Sequence, residues 1–434
     1  MRVNFRDARA PDEASQNGHD ADGPPNGAPI RAGAALAAEE WTEVRLATIF
    51  DCCKWDAQSR DHSVLANYPL FLQTRHWDLI ARDAEALTTE LLAAELEIFG
   101  RAELHDELGL PEPIVRAIRG CTAADLPNGR ARVMRFDFHF TREGWRISEV
   151  NCDVPGGFIE ASGFSTLMAE HMSGARTCGD PAGEYARALA DAAGPDGLVA
   201  LVHATWHSDD RQVMEYLVRR LRDNGVRAAL GGPDDVQWVG ADARWREGPS
   251  GPQRLVLARF FPAEWLPVLS PRARWERWFR NSRSALSNPG TALLVQSKRL
   301  PLVWDSLRTP LANWRKLLPE TRSIREIEGA MSEWVLKPTL GRVGENIAIE
   351  GVTDAAKYQK LLREARRNER NWVAQRRFET VAIPTPDGPR YPCIGVFTVN
   401  GRTVGAYGRV AAMPIIDDAA QDVAVLLRHD EETK

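Results

Sequence analysis

The chain has 434 residues, 44% hydrophobic and 26% charged, with 55 Lys and Arg against 60 Asp and Glu for a formal net charge of −5. That length exceeds one ordinary core, so two or three packed subdomains are expected, and the near balance of charge offers no global basic field for nucleic acid or an anionic membrane. Six cysteines (52, 53, 121, 152, 178 and 393) form no CxxC pair and are too sparse for a disulfide scaffold. No apolar run reaches the ~18 residues that span a bilayer, and MRVNFRDARAPDEAS lacks the apolar core of a secretory signal. A soluble, cytoplasmic protein with reduced thiols is expected.

In chain order, residues 1–39 are rich in Asp, Asn, Gly, Pro and Ala without a hydrophobic period, and read as a disordered leader. From Trp41 to about Arg119 the pattern is helical, with strong helix formers in DLIARDAEALTTELLAAELEIF. Next come two strands around a tight turn in MRFDFHFTREGWRISEVNCDVP (134–155), and then GFIEASGFSTLMAEHM, a loop running into a helix. Residues 197–260 form an α/β unit: GLVALVH a buried strand, DDRQVMEYLVRRLRDNG a helix ending at Gly225, VRAAL and RLVLARFF further strands. Trp265 to about Ser323 is mixed and Trp-rich. Strands resume from Trp334 and end in CIGVFTV-NG-RTVGAYGRV, whose Asn400-Gly401 marks a two-residue hairpin. REARRNER (363–370) reads as a solvated helix face, and no internal repeat is evident.

The hairpin carries the most chemistry. Val133, Arg135, Asp137 and His139 alternate with Met134, Phe136, Phe138 and Phe140, giving one polar and one apolar face. If Arg142-Glu143-Gly144 is a three-residue loop with Gly144 left-handed, Thr141 pairs with Trp145, Asp137 faces Glu149 and Arg135 faces Asn151. Two carboxylates directly opposed on a ladder repel by up to about 1 kcal/mol. A hard divalent cation between them reverses the sign, and Asp, Glu and the Asn carbonyl are oxygen donors suited to Mg²⁺. A plain amphipathic hairpin with a solvated face accounts for the same spacing.

Arg135-Phe136-Asp137 followed by Glu149-Val150-Asn151 fits R-x-D-(x)11-E-x-N, and so resembles the magnesium hairpin of the ATP-grasp enzymes, a family that includes D-alanine–D-alanine ligase. Most members place this hairpin after their nucleotide-binding lysines. Here it comes first, an inverted order similar to the circularly permuted synthetase domain of glutathionylspermidine synthase, and the resemblance extends with gaps over about residues 45–430. It implies an α/β (α+β) ATP-grasp fold in permuted order, divided as follows: a helical segment and metal hairpin in 40–180, a smaller pre-ATP-grasp α/β domain in 181–270, and the nucleotide-binding part in 271–434. The cysteine amidase of the family's bifunctional members is not expected.

Lysine usage adds a hint, because only seven residues are Lys (54, 298, 316, 337, 357, 360 and 434) in a chain that otherwise prefers Arg. Lys298, in LLVQSKRLPLVW, and Lys337, in WVLKPTLGRVGENIAIEG, fall where the family puts its nucleotide lysines. Gly341, Arg342 and Gly344 belong to the same string, where glycines let backbone N–H groups approach phosphates. No Walker A sequence, zinc spacing or Ser-His-Asp set occurs. The resemblance further implies that Gln375, in Trp372-Val373-Ala374-Gln375, borders the adenine and that Arg409 reaches the transferred phosphate.

The expected activity is ATP- and Mg²⁺-dependent ligation of a small-molecule or peptide carboxylate to an amine through an acyl phosphate. Asp137, Glu149 and Asn151 would hold the metal, Lys298 and Lys337 the phosphates, and Arg135 and Arg409 the acyl phosphate or tetrahedral oxyanion. The turn at 341–344 would act as a lid against water. Glu160, Ser162, His203 and Arg259 are candidates for the substrate pocket. A kinase or phosphotransferase using the same site, and a nucleotide-binding regulator without turnover, are the alternatives.

Overall fold

The alternation in residues 133–151 folds as the pattern predicts. In the computed structural model, which describes residues 28–56, 58–59, 62–206, 208–248, 254–341 and 346–428, strands Val133–Thr141 and Gly144–Asn151 form an antiparallel hairpin. Phe136, Phe138, Ile147 and Val150 are buried beneath it. They share a core with Ile80, Ala84, Leu87 and Leu91 of the long helix Thr74–Phe99, whose apolar residues recur at helical spacing. Burying side chains of this size contributes about 1.5–3 kcal/mol each.

The turn differs from expectation while the register at the polar residues agrees with it. Thr141 pairs with Gly144, at φ 101°, leaving a two-residue turn of Arg142 and Glu143. A bulge between Asp137 and Phe138 then accommodates Ser148 as one extra residue, so Asp137 still faces Glu149 and Arg135 faces Asn151.

Five antiparallel strands form the central sheet, in the order Gln421–Val423, Arg402–Ala411, Tyr391–Val399, Val133–Thr141, Gly144–Asn151. Asn400 and Gly401, at φ 49° and 82°, make the two-residue turn read from the sequence. Facing the polar side is a second antiparallel sheet, Thr321–Arg322, Trp372–Arg376, Trp334–Pro338, Ala348–Ile349. Helix Ala355–Arg367 covers this sheet with Tyr358, Leu361, Leu362 and Ala365, turning Arg363, Arg366 and Arg367 to solvent.

A third sheet is wholly parallel, in the order Ala285–Ser287, Leu255–Phe260, Leu198–His203, Ala228–Gly231. Its apolar runs LVALVH and LVLARF suit strands covered on both faces, and helices Pro181–Ala193 and Ser208–Asp223 pack with it. Its last strand lies beyond residue 270 in the sequence. A mixed sheet joins Ile30–Ala32, Leu70–Gln73, Val425–Arg428 and Ala175–Thr177.

Order begins earlier than composition suggests. Residues 1–27 lie outside the described residues, but Ile30–Ala32 is a strand paired with Leu70–Leu72, anchored by the buried Ile30, and a helix starts at Ala38. The helical stretch expected over 41–119 is interrupted by strand Leu70–Gln73. Ile159–Phe164, read as loop, is a π-helical turn running directly into helix Ser165–Glu170. Among the described residues no helix is long and apolar enough to cross a membrane, and all six cysteines are free thiols.

Candidate active site

Between the polar face of the central sheet and the facing antiparallel sheet lies a cavity of about 600 Å³. Pairing across the central sheet sets its floor in rows: Gly395 lies opposite both Tyr407 and Asp137, and Asp137 lies opposite Glu149. Arg409 lies between Cys393 and Asp422 one row along. Arg135 and Asn151 form the row on the other side. All of these residues line the cavity, together with Lys337 and Gln375 from the facing sheet.

The hairpin carboxylates are surrounded by cations. Arg135 grips Asp137 in a fork, Nε to Oδ1 at 2.7 Å and Nη2 to Oδ2 at 2.9 Å, while its Nη1 donates to the Gly156 carbonyl at 2.8 Å. Asn151 Nδ2 donates to Asp137 Oδ2 at 3.3 Å, and Lys298 Nζ lies 3.0 Å from Glu149 Oε2. Burial alone would raise the Glu149 carboxyl, but Lys298, Lys337 and Arg135 outweigh it and hold its pKa at about 2. The cross-strand repulsion expected for Asp137 and Glu149 is thus offset by three positive side chains.

Lys337 Nζ donates to the Gln375 Oε1 at 2.7 Å and to the carbonyl of Ser148, the bulge residue, at 3.0 Å. The bulge therefore serves the site twice, since the Ser148 hydroxyl lies 3.0 Å from His139 Nε2. Burial lowers Lys337 to about 8, only partly countered by Glu149. The same burial, with the Lys337 ammonium nearby, holds His139 at about 3, so its imidazole is neutral at physiological pH. Lys298 is placed by its neighbours: Gln296 Oε1 accepts from the backbone N–H groups of Cys152 and Asp153 at 2.8 and 2.7 Å, stapling this segment to the end of the hairpin.

Arg135, Asp137, Glu149, Asn151, Lys337, Gln375 and Arg409 thus share one cavity, and Lys298 joins through its ion pair with Glu149. Gly341 follows strand Trp334–Pro338 and does not contribute to the cavity wall. Arg342 and Gly344 lie outside the described residues. Among the described residues no three His, Cys, Asp or Glu side chains cluster as a self-sufficient metal site. Two carboxylates and an amide carbonyl fit Mg²⁺ all the same, because that ion usually takes one or two protein carboxylates and fills its octahedron with water and phosphate oxygens.

Residues 51–428 match the family model described as glutathionylspermidine synthase preATP-grasp. The chain belongs to that family. A Haemophilus influenzae protein named "Putative acid–amine ligase" is 24% identical over 282 residues, covering 62% of this chain and 68% of that protein. A glutathione synthetase-like effector from Globodera pallida superposes with a TM-score of 0.62 over 90% of this chain and 96% of its own, at 12% identity, a likeness of fold alone. The mixed α/β, ATP-grasp-like fold that the family resemblance implies agrees with that likeness.

This glutathionylspermidine synthase preATP-grasp member has a second charged pole in the same cavity, of which sequence reasoning named only Glu160 and Arg409. Lys54 Nζ lies 2.5 Å from Glu160 Oε1, 3.2 Å from Asp56 Oδ1 and 3.4 Å from Asp422 Oδ2. Arg409 approaches the other oxygen of Asp422 at 3.7 Å and donates to the Asp417 carbonyl at 2.6 Å. Burial raises Asp422 to about 6, with Lys54 opposing and Glu160 reinforcing. The scarcity of lysine was the one available signal for Lys54. Of the pocket candidates, Glu160 lines the cavity. Ser162 instead accepts from the Ala182 N–H, His203 bonds the Ala204 carbonyl, and Arg259 is locked against Asp153 in a fully buried pair.

Proposed function

We propose that the protein is an ATP-dependent carboxylate–amine ligase: ATP phosphorylates a substrate carboxylate, and an amine attacks the acyl phosphate to leave an amide, ADP and phosphate. The observation that carries this reading is the convergence of Lys298, Lys337 and Arg135 on the paired carboxylates Asp137 and Glu149. These residues come from distant parts of the chain and meet at a cavity whose second pole is rich in carboxylates.

Lys337 and Lys298 would hold the phosphates, each trading a contact with protein oxygen for one with phosphate. Val335, Ile347 and Ile349 offer an apolar wall for the base beside Gln375. Asp137, Glu149 and the Asn151 carbonyl would hold Mg²⁺, which supplies neutralising charge for the β- and γ-phosphates. Arg409 and Arg135 would face the acyl phosphate or the oxyanion that follows it. The sequence around 341–344 would exclude water from the reactive anhydride. Asp56, Glu160 and Asp422 gather around Lys54 at the second pole of the cavity, which Asp209 and Asp418 also line. These five carboxylates outnumber Lys54 and Arg409, an excess that suits an ammonium nucleophile and favours a ligase over an enzyme that stops at phosphoryl transfer.

A screen for ADP release with mixed pools of carboxylates and amines tests the reading. ADP formation that requires an acid and an amine together is the expected result. Release with a single acceptor would make the protein a kinase, and nucleotide binding without release would make it a regulator.

A further inference from the structure

Tyr407 is seated with unusual care for a residue that no part of the reaction above uses. It is only 5% exposed, yet it lines the cavity in the row of Asp137 and Glu149, two residues before Arg409 on the same strand and therefore on the same face. Two glycines from separate elements make room for its ring. A Cβ on Gly157 would lie 2.5 Å from Tyr407 Cε1, and one on Gly395 would lie 2.8 Å from the same atom and 2.9 Å from Arg135 Cδ. The Arg135 guanidinium lies 5.5 Å from the ring centroid, within range of cation–π attraction.

The hydroxyl is the unexplained part. A phenylalanine would fill the same seat and keep the cation–π contact, so neither the seat nor that contact accounts for the hydroxyl. Tyr407 lines the cavity, where a bound group can accept the hydrogen bond of its hydroxyl. Burial also pushes the phenol above its ordinary range, so it stays a protonated donor at any physiological pH.

We propose that the Tyr407 hydroxyl is the neutral donor of an oxyanion site completed by Arg135 and Arg409, and that it hydrogen-bonds the reacting carboxylate of the acid substrate. The assignment rests on the ligase reading. It adds that the acid's carboxyl group is read by a neutral donor as well as by two guanidiniums, a donor whose strength does not change as the carboxylate becomes an acyl phosphate.

The test is Tyr407→Phe, which keeps ring, seat and cation–π contact. Losing a hydrogen bond to a charged group predicts ADP release with the acid–amine pool slower by about ten- to a hundredfold, with Mg-ATP affinity within about twofold of wild type. Wild-type turnover in Tyr407→Phe overturns the assignment while the ligase stands. An equal loss of Mg-ATP binding also overturns it, by placing the hydroxyl with the nucleotide. If the wild-type protein binds Mg-ATP but turns over no pool, the ligase reading fails and inorganic phosphate decides the donor separately. Phosphate binding weakened about tenfold in the variant keeps the oxyanion site, and equal affinity removes it.

Discussion

At Lys337 the proposed phosphate-binding role and stability oppose each other. Its ammonium is buried, and its pKa of about 8 in the fold lies below the ordinary 10.5, chiefly because burial disfavours the charge. Folding therefore works against the protonated lysine below pH 8, and that cost is relieved as pH rises from 8 toward 10.5. Lys337→Met should leave the melting temperature at pH 7 unchanged or higher while weakening Mg-ATP binding by about one to two decades. In the wild type, Mg-ATP affinity should decline as pH passes 8, because the ammonium is the binding form, and Lys337→Arg should remove that decline. Calorimetric titration at pH 7 and 9 checks both; an affinity indifferent to pH in the wild type would detach Lys337 from the phosphates. Glu149 has the opposite sign. Held at about 2 against an ordinary 4.5, it adds stability that is complete above pH 4.5 and lost as pH falls toward 2.

At the scale of the element, the hairpin was the most legible part of the sequence, and its one misread detail is instructive. Alternation alone gave the polar face, and counting from a three-residue loop gave the pairs Asp137–Glu149 and Arg135–Asn151. The structure reaches the same pairs with a shorter turn and a bulge at Ser148. Neither periodicity nor composition encodes such a bulge, because its role is to present a carbonyl to Lys337 and a hydroxyl to His139, residues fixed by the tertiary fold. Two glycines separate geometry from function here. Gly144 and Gly157 have φ 101° and 98°, but a Cβ on Gly144 meets nothing within 4 Å, whereas one on Gly157 meets the Tyr407 ring. Gly144→Ala should cost roughly 1 kcal/mol of stability and spare activity, the cost being backbone strain alone. Gly157→Ala should carry that strain and also lose most ADP release, by displacing Tyr407. Paired melts and assays distinguish them, and equal activity in the two variants would show that the seat of Tyr407 does not matter.

At the scale of the whole molecule, the site is assembled by strands far apart in the chain. The hairpin near residue 140 pairs directly with strand Tyr391–Val399, and Val425–Arg428 lies between Leu70–Gln73 and Ala175–Thr177. The order of the hairpin and the two lysine segments was readable from motifs, because each motif is local and carries its own spacing. The second pole of the cavity was readable only at Glu160 and Arg409. Lys54, Glu160 and Asp422 come from three segments with no shared spacing, and only the fold brings them together. For the same reason Arg259 looked like a pocket residue until its burial against Asp153 placed it in the core.

Every role proposed above depends on this cavity holding Mg-ATP through the hairpin carboxylates and the converging lysines. Calorimetric titration of Mg-ATP into the wild-type protein and into Glu149→Gln, each repeated with the metal chelated, tests it most directly. Saturable binding to the wild type that weakens on chelation is the expected result. Glu149→Gln should bind at least tenfold more weakly and lose most of its dependence on the metal, since one of the two carboxylates offered to Mg²⁺ is gone. A wild-type protein with no affinity for Mg-ATP, or a Glu149→Gln variant with unchanged affinity and metal dependence, would contradict it.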